Sequence, residues 1–269
     1  MPEGHIIHRL AAENAKAFAH RPLRVSSPQG RFAEGAALVD GQVLAEAEAH
    51  GKHLFLGFEA GAWLHIHLGL YGGFSFGTGP APAPVGLIRL RLESEESYAD
   101  LRGPNTCELL TGAEKSAIHA RLGPDPLRPG SDPGPAWERI SRSRTTIAAL
   151  LMDQKVLAGV GNVYRAEVLF RLGIDPHRPG RELTRAEWAA IWADLVTLMH
   201  EGAGIGRIDT VRPEHTPEAM GRPPRVDDHG GEVYVYRRAA LPCLVCGTEV
   251  RTENHAARNL FWCPRCQQR

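Results

Sequence analysis

The chain has 269 residues, and its 31 basic and 31 acidic side chains give a formal net charge of zero. This length allows one large domain or two modest domains with real cores. No apolar run is long enough to cross a membrane as a helix, and the polar residues after Met1 are unlike a signal peptide, so we expect a cytoplasmic protein. Zero net charge gives no general indication of a nucleic-acid partner, although residues 236–269 hold six Arg against two Glu.

The N-terminus reads Met1-Pro2-Glu3. Removal of Met1, which the small second residue permits, would leave Pro2 with a free secondary amine that can attack an aldehyde-like carbon and form an iminium ion. Glu3 adds a carboxyl group capable of acid–base work. The alternative is that Pro-Glu is only a favourable helix start.

A helix is predicted to begin near Pro2 and to end near His20, since Pro22 cannot continue it. Positions at helical spacing predict its buried face: Ile7, Leu10, Ala11, Asn14 and Phe18. The positive end of its dipole would favour a neutral amine at Pro2, whereas Glu3 would favour the ammonium form.

Between residues 23 and 110 the pattern changes to short segments of period two, separated by breakers such as Gly72-Gly73. The alternating apolar positions include Leu54, Leu56, Phe58, Leu64, Ile66, Leu68, Ile88, Leu90 and Leu92. This alternation predicts antiparallel strands in a sandwich or flattened barrel.

His65 and His67 share one face of a predicted strand and could bind a metal ion. With no third ligand in view, surface or packing histidines are the alternative that we favour. Cys107 lies in an apolar stretch, which predicts a buried structural thiol.

Residues 123–135 are rich in Pro and Gly and predict a linker at a domain boundary. Beyond it, helical spacing predicts one helix from about Trp137 to Asp153 and a second from Asn162 to Leu172. The capping box Thr184-Arg-Ala-Glu187 predicts the start of a third helix. Residues 202–231 have no clear period and predict a mobile loop.

Two CxxC pairs, Cys243/Cys246 and Cys263/Cys266, are separated by sixteen residues near the C-terminus. This spacing predicts four thiolates around one zinc ion, with a β-hairpin between the pairs. A four-sulfur site leaves no coordination position for water, so the zinc is expected to be structural.

The stretch Gly159-Val-Gly161-Asn162 superficially resembles a nucleotide phosphate loop. It fails that test because Tyr164 stands where the dinucleotide fingerprint needs Gly and because a helix precedes it. One interpretation is a tight turn whose amides and Asn162 side chain hold a backbone phosphate. The other is a plain helix–helix turn with Asn162 as cap.

Four anchors occur in an order typical of one family: Pro2-Glu3-Gly4, Gly51-Lys52 on a strand, Asp153-Gln-Lys155 followed by Gly159-Val-Gly161-Asn162, and the terminal zinc hairpin. Together they span the whole chain. The sequence resembles the formamidopyrimidine-DNA glycosylase/endonuclease VIII family. Leu70-Tyr71 and Arg121-Leu-Gly-Pro-Asp125 resemble its endonuclease VIII branch, and Pro-Glu-Gly-His resembles an actinobacterial type.

The resemblance implies an α+β multidomain fold in four segments. Residues 1–122 would form a catalytic antiparallel β-sandwich with a leading helix, and residues 123–135 the linker. Residues 136–232 would form a helix–two-turn–helix DNA-binding domain, and residues 233–269 a zinc β-hairpin. The expected cofactor is one structural Zn²⁺, and the expected protein is a monomer.

The resemblance also implies roles for single residues. Pro2 would be the Schiff-base nucleophile, Glu3 the proton shuttle, and Lys52 a phosphate contact that assists elimination. Leu70 and Tyr71 would fill the gap left by the flipped nucleotide. The remaining DNA contacts would be Arg121, Lys155, Asn162 and, at the hairpin tip, Arg258.

Three departures qualify this assignment. Ile6 stands where many members have Glu, and Gly69 stands where a known endonuclease VIII pattern has Gln. Residues 100–106 lack the Arg-x-Phe wedge of the 8-oxoguanine branch. We therefore expect a bifunctional DNA glycosylase/AP lyase acting on double-stranded DNA with oxidised bases, preferably pyrimidines, or abasic sites. The alternative is a non-catalytic zinc-dependent protein that binds damaged DNA.

Overall fold

A computed structural model describes residues 2–226 and 231–268. The chain divides into two compact units, Met1–Arg121 and Leu122–Arg269. Within the described residues, no helix has the length and apolar character needed to cross a membrane.

Over its described residues, the first unit contains three helices and eight strands. In chain order these are α1 (Gly4–Phe18), β1 (Arg24–Ser26), α2 (Ala33–Val39), β2 (Leu44–His50), β3 (His53–Phe58), β4 (Trp63–His67), β5 (Gly73–Thr78), β6 (Ile88–Glu93), β7 (Ser97–Arg102), β8 (Thr106–Leu110) and α3 (Gly112–Arg121). The strands form two four-stranded antiparallel sheets, in the orders β1-β6-β7-β5 and β2-β3-β4-β8. The predicted sandwich with a leading helix is confirmed, whereas α2 and α3 were not predicted.

The core of this unit follows from the two sequence periods. Leu54 pairs with Ile66 and Leu56 pairs with Leu64 across β3 and β4, and all four are fully buried. The predicted face of α1 is buried in the same cluster, which includes Phe18. The intervening strand residues point to the opposite face of the β2-β3-β4-β8 sheet.

The second unit contains five α-helices and one hairpin among its described residues. These are α4 (Gly134–Ile140), α5 (Ile147–Leu150), α6 (Asn162–Arg171), α7 (Arg185–Ile205), α8 (Pro217–Met220), β9 (Arg251–His255) and β10 (Arg258–Trp262). Helix α6 is buried along nearly its whole length, and α7 begins with the predicted capping box at Thr184 and Glu187.

Two predictions for this unit are wrong. The single helix through Asp153 is two short helices, because Thr146 caps α5 through its hydroxyl and the Ile147 N–H donates to the carbonyl of Arg178. The predicted loop over residues 202–231 contains the end of α7 and the short helix α8, and its residues 227–230 lie outside the described residues. The boundary between the two units falls after Arg121, next to the predicted linker at residues 123–135, and that stretch belongs to the second unit. Within it, buried Asp125 accepts the N–H of Leu127.

Candidate active site

Pro2 and Glu3 lie at the amino end of α1. Glu3 is the N-cap residue, with extended backbone (φ −109°, ψ 179°), and it is fully buried. Pro2 is half-buried directly before it. The positive end of the helix dipole is beside both residues, where it favours a neutral amine and stabilises a carboxylate. Once Met1 is removed, an amine and a carboxyl group stand side by side at one helix end.

The next residues bring no further charge to this end of α1. Burial lowers the pKa of His5 to about 3, so its ring is neutral at physiological pH. Ile6 is partly buried against the apolar core of the unit. As an isoleucine, it supplies no second carboxyl group where many family members have Glu.

Lys52 lies in the two-residue turn between β2 and β3. The ladder ends at the pair His50 and His53, and Gly51 has a φ of +59°, in the left-handed region that favours glycine. The prediction that Gly51 and Lys52 lie on a strand is therefore wrong, because these two residues form the turn between two strands.

The packing of α1 places Pro2 at the same end of the unit as Lys52. The His20 N–H donates to the Leu44 carbonyl at 2.8 Å, which joins the carboxyl end of α1 to the start of β2. Helix α1 packs along β2. Its 15 residues span about 22 Å, which matches about 23 Å for the seven residues of β2. The amino end of α1 therefore lies over the far end of β2, where the Lys52 turn is.

Leu70 and Tyr71 occupy the turn between β4 and β5. Leu70 is 46% exposed and Tyr71 92% exposed, so neither is a core residue. Gly69 before them has a φ of +69°, and a Cβ there would meet the Asn105 side chain at 2.3 Å. A Gln at this position would need a left-handed backbone conformation and a shift of the Asn105 side chain.

Arg121 and Lys155 are both exposed cations. Arg121 is the last residue of α3. Lys155 lies in the connection between α5 and α6, where its N–H donates to Asp153 Oδ1 at 2.9 Å and its carbonyl accepts from Arg139. The backbone of this turn is fixed, while the ammonium group of Lys155 extends outward.

Asn162 is the first residue of α6, and Gly161 is its N-cap. The interpretation of Asn162 as the cap is wrong, because Gly161 occupies the N-cap position. Its Nδ2 donates to the Asn259 carbonyl in β10 at 3.0 Å, and its Oδ1 accepts from buried Arg165. A carboxamide nitrogen has two N–H groups, and this hydrogen bond uses one of them. The side chain lies at the positive end of the α6 dipole, which favours an anion.

The β9–β10 hairpin carries Arg258 at its tip. His255 pairs with Arg258 across a two-residue turn, and the turn residues Ala256 and Ala257 have φ values of 50° and 59°. The next residue along, Asn259, is the one that accepts from Asn162. One hydrogen bond, from Asn162 to the residue after Arg258, therefore holds two of the predicted phosphate contacts close together.

The four predicted zinc ligands form a compact cluster. Within the described residues, Cys243, Cys246, Cys263 and Cys266 are the one group of three or more metal-ligating side chains whose ligand atoms lie within 4.8 Å of one another. Their sulfurs are 3.9 Å apart for one cross-pair and 3.5 Å for the other, near the edge of about 3.8 Å expected for a tetrahedron with Zn–S of about 2.3 Å. The cluster fits one structural zinc ion.

His65 and His67 belong to no such group. His65 bonds to His53 and Glu108 instead, which favours the packing interpretation. Cys107 is half-buried against the core of the first unit, and burial raises the pKa of its thiol to about 12, consistent with a structural role.

Glu167 is a functional-looking residue that the sequence did not reveal. It is fully buried, and its two carboxylate oxygens accept the hydroxyl of Thr210 and the N–H groups of Tyr234, Val235 and Tyr236 at 2.6–2.9 Å. This carboxylate holds residues 234–236, the segment that leads into the zinc module. The one available signal was its presence in a helix that is otherwise buried and largely apolar.

Comparisons with known proteins bear on the family of the chain. Domain models match over the chain: formamidopyrimidine-DNA glycosylase N-terminal domain at residues 1–107, formamidopyrimidine-DNA glycosylase H2TH domain at 122–212, and the zinc finger found in FPG and IleRS at 240–269. "Endonuclease 8 1" of Mycobacterium tuberculosis is 51% identical, covering 99% of this chain and 100% of the relative. A "Formamidopyrimidine-DNA glycosylase" of Thermus thermophilus is 32% identical, covering 86% and 85%.

The fold also matches solved structures. A complex of Lactococcus lactis Fpg with abasic-site DNA superposes with a TM-score of 0.78 at 20% identity, covering 99% of this chain and 100% of that one. The chain belongs to the formamidopyrimidine-DNA glycosylase/endonuclease VIII family, which consists of DNA glycosylases with AP lyase activity. Its high identity to a mycobacterial endonuclease 8 confirms the predicted branch.

Proposed function

We propose that this chain is a bifunctional DNA glycosylase/AP lyase of base excision repair that works through a Schiff base at Pro2. The observation that carries this proposal is the placement of Pro2 and buried Glu3 at one helix end, at the same end of the unit as Lys52. A base inside the duplex cannot present C1′ to an amine, so the damaged nucleotide is flipped out first.

The chemistry follows from these groups. The Pro2 nitrogen bonds to C1′ as the glycosidic bond breaks, and the base leaves with a proton delivered by Glu3. Opening of the sugar gives an iminium ion, which acidifies C2′. Transfer of a C2′ proton to water breaks the C3′–O bond and releases the 3′ phosphate, with Lys52 holding that phosphate and assisting elimination. Water then hydrolyses the iminium ion, which frees the sugar as an aldehyde and regenerates the amine.

The second unit supplies the grip on DNA in this proposal. Lys155, Asn162 and Arg258 contact phosphates near the lesion, and Arg121 adds a further cation from the first unit. Zinc supplies folding energy to the hairpin that carries Arg258 and takes no part in the reaction. The enzyme acts as a monomer in the bacterial cytoplasm on double-stranded DNA with oxidised bases or abasic sites.

Oxidised pyrimidines are the proposed substrates, in preference to 8-oxoguanine opposite cytosine. Flipping costs a few kcal/mol of stacking, and exposed Leu70 and Tyr71 are suited to fill the gap. Leu70→Ala with Tyr71→Ala should keep activity on single-stranded or mismatched lesions and lose it on paired duplex. A uniform loss with a lower Tm, or faster excision of 8-oxoguanine than of thymine glycol, would contradict this assignment.

Borohydride trapping separates the proposed enzyme from a non-catalytic binder of damaged DNA. The protein with a free Pro2 amine should form a covalent adduct with abasic-site DNA, since reduction fixes the imine. A version with verified intact Met1 should form none, because the Pro2 nitrogen is then an amide. Binding without any adduct from the free amine would support the non-catalytic alternative.

A further inference from the structure

The outer face of the β2-β3-β4-β8 sheet carries a layer of histidines that the proposed function does not use. Five of the 13 histidines of the chain lie in this layer: His50, His53, His65, His67 and His119. They come from β2, β3, β4 and the covering helix α3. In the strands they alternate with the buried residues of the apolar core.

Two pairs of these rings are hydrogen-bonded. His50 Nδ1 lies 3.1 Å from His119 Nδ1, and His53 Nδ1 lies 2.8 Å from His65 Nε2. His65 Nδ1 lies 2.9 Å from Glu108 Oε1. Because an ionised carboxylate only accepts, His65 donates from Nδ1 and accepts at Nε2, so His53 donates from Nδ1. The hydrogen bonds that link Glu108, His65 and His53 are thus satisfied by one consistent set of tautomers.

The rings of His53, His65 and His67 are neutral at physiological pH. Burial, followed by the neighbouring rings, lowers the pKa of His53 to about 3. Burial also lowers the pKa of His65 and of His67, and for His67 the charge of Lys52 adds to this.

Glu48 on β2 and Lys115 on α3 also face the layer, and they form an ion pair. His119 Nε2 lies 3.7 Å from the same Glu48 carboxylate. The Glu48–Lys115 ion pair and the His50–His119 hydrogen bond both join α3 to the sheet.

The histidine layer lies directly beside the Lys52 turn. His50 and His53 are register partners, and they flank Gly51 and Lys52 on either side. We propose that the two histidine–histidine hydrogen bonds clamp this turn, which makes His50 and His53 positioning residues for Lys52. The inference rests on the proposed role of Lys52 in elimination.

The physical reason is the flexibility of lysine. A lysine side chain on a mobile turn samples many rotamers, whereas a turn fixed at both flanks limits where the ammonium group can be. A displacement of about 1 Å can cost about 10²-fold in rate. His53 is held from β4, and His50 is held from α3, so each flank of the turn has an independent anchor.

Two substitutions of His53 separate hydrogen bonding from packing. His53→Asn keeps a donor at the position of Nδ1 but removes the ring, while His53→Phe keeps the ring and removes the donor. On a preformed abasic site under single turnover, His53→Phe should cleave about 10-fold or more slowly, and His53→Asn should stay within about 3-fold of the wild type. Borohydride-trapped adduct should form to the same extent in all three, because it depends on Pro2.

A double-mutant cycle tests whether His53 acts through Lys52. In a Lys52→Met background, His53→Phe should cause no further loss of cleavage. The exposed His200 supplies a matched control, and His200→Phe should behave as the wild type. If His53→Phe fails to fold, the same comparison is made with His119→Phe and His119→Asn on α3.

The outcomes are distinct. Cleavage by the phenylalanine variant at the wild-type rate, a larger loss in the asparagine variant than in the phenylalanine variant, or additive losses with Lys52→Met would each overturn the clamp while leaving the glycosylase assignment intact. Absence of any adduct or cleavage by the wild type would overturn the proposed function and the clamp together.

Discussion

The two units fix their candidate functional residues in different ways. In the first unit an apolar core lies between two sheets, and Pro2 and Leu70 stand at the ends of elements that this core holds, whereas the Lys52 turn is flanked by hydrogen-bonded histidines. In the second unit the corresponding residues are held by buried polar groups. Asn162 is tied to the hairpin through the Asn259 carbonyl, and Glu167 holds three consecutive backbone amides.

This difference has an energetic consequence. Loss of one methyl or methylene from an apolar core costs a graded amount, because neighbouring side chains relax into part of the space. Loss of one partner from a buried polar set leaves the others unsatisfied at full desolvation cost. Outside the histidine layer, single polar substitutions should therefore damage the second unit more than the first.

Removal of the metal should give the largest effect. Cys263→Ser should lose zinc and unfold the β9–β10 hairpin, since metal binding supplies on the order of 10 kcal/mol in comparable peptides. Zinc content and amide exchange over residues 251–262 are the measurements, with DNA affinity expected to fall as Arg258 is displaced. Cys107→Ser in the first unit is the matched control and should keep zinc. Retention of zinc and of a protected hairpin by Cys263→Ser would break the comparison.

Glu167→Gln should give the next largest effect. The glutamine places an NH₂ group against amide donors that a carboxylate accepts, so the unit should lose about 3 kcal/mol or more. Amide exchange should rise at Tyr234, Val235 and Tyr236 before the rest of the unit, and the urea midpoint should fall. Glu34→Gln, an exposed carboxylate on α2, should change the midpoint very little. Equal shifts in the two variants would contradict the assigned role of Glu167.

Acid should weaken the first unit through its buried neutral histidines. The ordinary histidine pKa is 6.5, and burial lowers it to about 3 in His5 and His53. Between these values the unfolded chain binds more protons, so stability falls as pH drops from 6.5 towards 3, by about 1.4 kcal/mol per pH unit for each such group. Unfolding free energies between pH 7.5 and 5 should show this slope, and His53→Phe should reduce it. A flat profile would show that these rings are solvated.

The hairpin tip should give the smallest effect, and in the stabilising direction. Ala256 and Ala257 hold positive φ values that cost L-residues about 1–2 kcal/mol each. Ala257→Gly should therefore stabilise the hairpin by about 1 kcal/mol, measured by slower amide exchange in β9 and β10. The exposed Ala193 in helix α7 is the control, where Gly should destabilise by up to about 1 kcal/mol. The same sign at both positions would contradict the conformation of the tip.

The features that could be predicted from the sequence are those determined by residues close together in the chain. The strands around Leu54 and Leu64, the capping box at Thr184 and the cysteine cluster all follow from spacing within one segment. The break between α4 and α5 did not, because it depends on a bond from Ile147 to the carbonyl of Arg178, far along the chain.

The same limit applies to the candidate site. The roles of Pro2, Lys52 and Arg258 were found by resemblance to a family pattern, but the hydrogen bond between His53 and His65 depends on the register of β3 and β4. The capture of residues 234–236 by Glu167 depends on tertiary packing. Neither leaves a periodic signal in the sequence.

The most direct test of the whole account is the site of covalent attachment in the borohydride-trapped complex with abasic-site DNA. Digestion of the adduct followed by mass spectrometry should place the added sugar mass on the Pro2 nitrogen of the peptide that begins at Pro2. Lys52 should be unmodified. Attachment at Lys52 or at any other lysine, with an unmodified N-terminal peptide, would contradict the assignment of Pro2 as the nucleophile.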